Sequence, residues 1–194
     1  LSFYMLLLLS LPVLINTHYI LVIWLKLVPE HAVLFVQLIL IFAMSESISN
    51  PLITAMLATG KIRNYQIVVG AFQILNLPIS YICLELGCIP ESVLVVAIFI
   101  SQICLAARLY MLRGLIGLSS KQYLKKVYFN ILIVTFFSLI IPCILRRYMS
   151  DTFFAFVLIT LTSLVCTLIV VYYIGCNRDE RAFVFSKFSK IKIK

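Results

Sequence analysis

A chain of 194 residues that is 63% hydrophobic and 12% charged, with a mean hydropathy of +1.14, carries more apolar side chain than a soluble core can absorb; soluble domains run at roughly 45–50% apolar and about 25% charged. The apolar residues come in long uncharged runs rather than alternating segments of about ten, which excludes an outer-membrane barrel and leaves an all-α integral membrane protein. Sixteen Lys and Arg against seven Asp and Glu give a net charge of +9, and because these bases flank the apolar runs, their counterpart is anionic membrane lipid rather than nucleic acid.

Six helix-length windows follow in chain order, at about residues 1–25, 32–59, 64–86, 92–112, 125–146 and 152–175, each too long for a strand. The first opens inside an apolar run at Leu1 with no basic leader, so it reads as a span of a longer chain and not as a removable signal peptide. Asn16 and His18 sit toward its outer end in structural roles. Pro29, Gly60, Gly87 with Pro90, and the stretch Gly114–Gly117 punctuate the connections. Gly60 and Gly87 each follow an apolar run and suit the helix C′ position, where φ is often positive. Arg108 lies near the inner end of the fourth window and is expected to snorkel to the headgroups. Ser119 and Ser120 offer an N-cap to a turn that feeds the fifth window. The tail, residues 177–194, mixes bases with Phe183, Phe185 and Phe188; it suits either the anionic inner leaflet or solvent.

Counting bases on alternate sides orients the spans. Thirteen fall on the side of Lys61, Lys121 and the tail, and three on the side of Lys26, Arg146 and Arg147. The positive-inside bias places both ends of these 194 residues in the cytoplasm.

Glu46 is the most informative polar residue. It stands midway along the second window, where a carboxylate costs roughly 2.5–3.5 kcal/mol even on the lenient insertion scale. At about 100° per residue, Ser49 lies about 60° to one side of it and Asn50 about 40° to the other, so the three share a stripe. Pro51 follows, and its ring displaces the Ser47 carbonyl, favouring a kink. The stripe reads as the wall of a watery cavity; a protonated Glu46 bonded to a neighbouring helix is the competing reading. Pro78 repeats the device in the third window beside Asn76, with Asn76 or Gln73 available to the freed Ile74 carbonyl. Gln102 in the fourth window and Gln37 in the second are further amides of the kind that hold membrane helices together. The candidate cavity residues are therefore Glu46, Ser49, Asn50, Asn76 and Gln102, with kinks at Pro51 and Pro78.

Six cysteines occur, at 83, 88, 104, 143, 166 and 176, with no CxxC pair. Most lie inside apolar runs, so no metal or redox role is expected, although Cys83 and Cys88 are close enough in sequence for an outer disulfide. No phosphate loop, zinc-hydrolase or serine-hydrolase motif is present, and neither enzyme activity nor a cofactor is expected.

Several segments in order resemble the bacterial polysaccharide flippases of the multidrug/oligosaccharidyl-lipid/polysaccharide exporter superfamily. They are Trp24-Leu25-Lys26-Leu27-Val28-Pro29-Glu30, Gln37-Leu38-Ile39-Leu40, Ala58-Thr59-Gly60-Lys61-Ile62-Arg63-Asn64-Tyr65-Gln66, Leu75-Asn76-Leu77-Pro78-Ile79-Ser80-Tyr81 and Leu118-Ser119-Ser120-Lys121-Gln122-Tyr123-Leu124-Lys125-Lys126. The resemblance covers only the C-terminal part of such a protein. It implies a two-lobed MATE-like transporter of twelve to fourteen helices, of which these are roughly the last six, the N-terminal lobe falling outside this sequence. It further implies a lipid-linked oligosaccharide as substrate, carried across the bacterial inner membrane by alternating access. Glycan polymerase and glycosyltransferases would then be partners, and the cationic residues facing a diphosphate would lie in the absent lobe. A cation-coupled drug exporter of the same superfamily is the nearest alternative. A membrane-embedded glycan polymerase or ligase fits less well, because the outer connections are too short to carry its active site.

Overall fold

The computed structural model describes residues 2–117, 119–149 and 152–175, and among them it is all-helical, with no strand. The helices are α1 (Ser2–Ile15), α2 (Thr17–Leu25), α3 (Ala32–Ala58), α4 (Ile62–Glu85), α5 (Ser92–Ile116), α6 (Ser120–Tyr123), α7 (Phe129–Tyr148) and α8 (Phe153–Val170). A π-helical turn, Leu124–Tyr128, joins α6 to α7, and a second, Val171–Gly175, extends α8. Five helices, counting α6–α7 and α8 with their π turns, are long and apolar enough to cross a membrane, and α1 with α2 makes a sixth if that broken pair is one span. The chain is therefore a multi-pass membrane protein.

The windows and the helices differ at three places. The first window is not one helix: it breaks at Asn16, whose backbone leaves the helical region at φ −104° and ψ 17°. The fourth helix continues past residue 112 to Ile116 and ends at Gly117, which takes the left-handed conformation at φ 68°. The fifth window starts in the short helix capped by Ser119, whose hydroxyl accepts from the Gln122 N–H as the sequence suggests. Gly60 and Gly87 take positive φ as expected. At Gly87 the Cys88 N–H reaches the Cys83 carbonyl and the Gly87 N–H the Leu84 carbonyl, the paired bonds of a Schellman ending. Cys83 and Cys88 are both free thiols in this structure. The tail from 177 to 194 lies outside the described residues.

The chain divides into two compact units. One runs from Asn16 to Leu124, and in it α5 packs along both α3 and α4. The facing positions explain this packing. On α3 they are Ser45, Ser49, Leu52 and Met56, and on α5 they are Ser101, Cys104, Leu105, Arg108 and Leu112, all buried at three- and four-residue spacing. Small side chains at such positions let membrane helices approach closely. At the start of both helices the His31 Nδ1 stands 2.6 Å from Glu91 Oε1, so the first turns of α3 and α5 lie side by side.

Glu91 is almost fully enclosed, whereas half of the His31 side chain is open. The N–H at its own backbone, and then the His31 ring, hold the Glu91 carboxyl below the usual carboxylate range, against the burial that pushes it up. A carboxyl depressed on folding contributes stability above its unfolded pKa and loses it as the pH falls through the folded value. The wild-type melting temperature is therefore expected to drop as the buffer is taken below about pH 4.3, and a thermal melt series of Glu91→Gln should lack that component.

The other unit joins residues Phe3–Ile15 to the described residues from Lys125 to Gly175. Here α7 packs on α8 through Val134, Ser138, Ala155, Ile159 and Ser163, all buried. The Asn130 amide donates to the Tyr4 hydroxyl at 3.2 Å and to the Gly175 carbonyl at 3.4 Å. That satisfies one of the carbonyls a helix end leaves open.

Candidate functional site

Within the Asn16–Leu124 unit a groove of about 400 Å³ opens among α3, α4 and α5. Its polar lining is Glu46 from α3, Gln73 and Asn76 from α4, and Ser101 from α5, with Phe42, Ala97 and Ile100 as apolar walls. Helical periodicity explains the convergence. Gln73, Asn76 and Ser80 fall at i, i+3 and i+7 of α4, and Ala97, Ile100, Ser101 and Cys104 repeat the spacing on α5. The Ser80 hydroxyl donates to Asn76 Oδ1 at 3.3 Å, which orients the amide.

Glu46 is tied to α5. The Ser101 hydroxyl donates to Glu46 Oε1 at 2.5 Å, and the Ser101 and Ser45 hydroxyls stand 3.3 Å apart. The Gln102 amide donates to Ser45 behind them. A carboxylate, two hydroxyls and an amide thus form one connected network between two parallel helices. In a medium of low dielectric, such a network is worth more than its separate bonds, provided it is satisfied.

Of the residues the sequence singles out, the groove takes Glu46 and Asn76. Gln102 belongs to the network behind it. Ser49 is fully buried in the seam between α3 and α5, and its hydroxyl has no hydrogen-bond partner among the described residues. Asn50 is exposed and outside the groove; the turn of the helix carries it away from the seam that Ser49 enters. Pro51 and Pro78 sit inside helices that run on unbroken through them. One turn before Pro51, the Ile48 carbonyl accepts a 3.0 Å bond from the Tyr123 hydroxyl. A proline disturbs the carbonyls of the turn before it, and a tyrosine from a neighbouring segment is one way to satisfy them.

Arg108, contrary to expectation, does not snorkel: it is 2% exposed, and its Nε and Nη1 find no hydrogen-bond partner among the described residues. The reason is its face rather than its depth. Two turns after Ser101, it falls on the same stripe of α5, and that stripe packs on α3. Removing it from the count of loop bases leaves twelve against three, so the orientation reading is unchanged. The Cys104 thiol, one turn before Arg108, lies within electrostatic reach of both Glu46 and Arg108, so one intramembrane seam holds an acid and a base.

Three contributors stand apart from the sequence reading: Gln73, which the sequence offers only as a partner for a backbone carbonyl, Ser101, and Arg108, which the sequence places at the headgroups. The signal for Ser101 and Arg108 was the repeat of small or polar residues at 97, 101, 104 and 108. Among the described residues, no group of three or more His, Cys, Asp or Glu comes together to hold a metal ion.

Amides and a carboxylate together offer both donors and acceptors. Comparison with protein-family models, with curated proteins and with solved structures returns no match to this chain.

Proposed function

We propose that this chain is part of a bacterial inner-membrane flippase that carries a lipid-linked oligosaccharide from the cytoplasmic to the outer leaflet. The observation that carries the reading is the groove itself. Glu46, Gln73, Asn76 and Ser101 line a space midway along apolar helices, where polar side chains are expensive and mark a pathway. In this reading sugar hydroxyls exchange their water for the amides and the carboxylate, while the lipid tail stays in the bilayer. Nothing in the scheme requires covalent chemistry, a metal or a cofactor. The order of segments that resembles polysaccharide flippases points to the same cargo, and the glycosyltransferases and polymerase that make and extend such a glycan are its partners.

A second reading, a cation-coupled drug exporter, draws on the same Glu46 carboxylate as a cation ligand. Deleting the gene separates the two. The flippase reading predicts loss of surface polysaccharide, with lipid-linked oligosaccharide accumulating on the cytoplasmic side and no change in drug sensitivity. The exporter reading predicts intact surface polysaccharide and greater drug sensitivity.

A further inference from the structure

A second cleft, of about 700 Å³, lies at the opposite end of the same unit from His31 and Glu91, between the start of α4 and the last turns of α5. Lys61 and Asn64 line it from one side, and Tyr110, Arg113, Gly114 and Leu115 from the other. Its size is that of a site for a whole small ligand, which is roughly 300–1,000 Å³.

The charge at this cleft is one-sided. Lys61 and Arg113 reach it from different helices, and neither forms an ion pair among the described residues. The acids of the unit are Glu30, Glu46, Glu85 and Glu91, all at its outer end or midway. No side chain caps the start of α4, and no acid stands in its first turn, so its open N–H groups add to the positive field. Gly114 lines the cleft, and the space in front of it is open: a Cβ there would meet nothing within 4 Å.

We propose that this cleft binds the phosphate headgroup of an anionic phospholipid from the cytoplasmic leaflet. Lys61 and Arg113 hold the phosphate, with Asn64 as a further donor. The headgroup enters over Gly114, and the first carbons of the acyl chains lie along Leu115. Two features favour a lipid over free phosphate. The cleft has an apolar wall that a free ion would leave unused, and Tyr110, 78% exposed at its rim, is the kind of residue that settles at the headgroup level. This binding does not depend on what the transporter carries.

The test uses the purified full chain in neutral detergent, titrated with dioctanoyl phosphatidylglycerol and read by native mass spectrometry. Dioctanoyl phosphatidylcholine serves as the neutral comparison and sodium phosphate as competitor. Lys61→Gln with Arg113→Gln should weaken phosphatidylglycerol binding about tenfold or more, on the order expected for losing two charge-assisted contacts. Gly114→Leu, which changes no charge, should weaken it comparably by filling the floor. Arg146→Gln with Arg147→Gln should leave it unchanged. Binding that survives both the charge and the Gly114 variants overturns the site, and displacement by sodium phosphate at concentrations matching the lipid overturns the choice of a lipid.

Discussion

Glu46→Gln in the full-length protein should reach the membrane at wild-type abundance and yet deliver little glycan to the surface. A hydrogen bond to a charged group is worth about 1.5–3 kcal/mol, so loss of the carboxylate should cut flux about tenfold or more. The amide keeps the size of the side chain and can still accept the Ser101 hydroxyl, which Glu46 receives at 2.5 Å. The bridge between α3 and α5 therefore survives the change, and an effect on abundance is not expected. Glu46→Leu approaches the question from the other side. It removes the cost of a polar group among apolar helices, so abundance should hold or rise while transport is lost. Immunoblots of membranes together with surface-glycan staining separate the cases. Normal glycan in both variants would show Glu46 to be a structural residue only.

Arg108→Met should make the protein more stable and much less active. The guanidinium is enclosed in the seam, with two of its nitrogens without hydrogen-bond partners among the described residues. As a folding element it is a liability, and exchanging a buried charge for an apolar side chain of similar volume is often neutral or stabilising, here by about 1–3 kcal/mol. Retention of so costly a group is explained if its charge is used during transport, in the seam it shares with Glu46. Arg108→Lys should keep part of the activity, because the charge stays although the planar fork is lost. A detergent melt alongside surface-glycan staining checks both halves. A lower melting temperature with glycan tracking abundance would make Arg108 a structural residue.

The helices themselves were legible because uncharged runs of about 20 residues leave the backbone one way to satisfy its hydrogen bonds in lipid. Their ends were legible where a residue has a local mechanism, as at Gly60, Gly87 and Ser119. The break at Asn16 was not, since one amide in an apolar run is more often tolerated than obeyed. The groove was half legible. Glu46 and Asn76 announce themselves by cost, whereas Gln73 and Ser101 matter only through the register of α4 and α5 against α3, which no single helix encodes. Arg108 lies close to a helix end, which favours snorkelling, but the face it occupies packs on α3 and encloses it. The clasp between His31 and Glu91 joins residues sixty positions apart and left no local trace.

Water, and therefore a sugar, is expected to enter the groove beside Glu46. Thiol accessibility at two adjacent positions of α4 tests it most directly, in the full-length chain with its native cysteines replaced. Asn76 lines the groove, whereas Leu75 lies outside that lining and is 46% exposed on the helix surface. A small cationic methanethiosulfonate needs water to ionise the thiol it attacks. Asn76→Cys should react readily while Leu75→Cys, at the same depth but facing lipid, stays unmodified. Equal inertness at the two positions would mean that the groove is dry, and it would contradict the transport reading at its foundation.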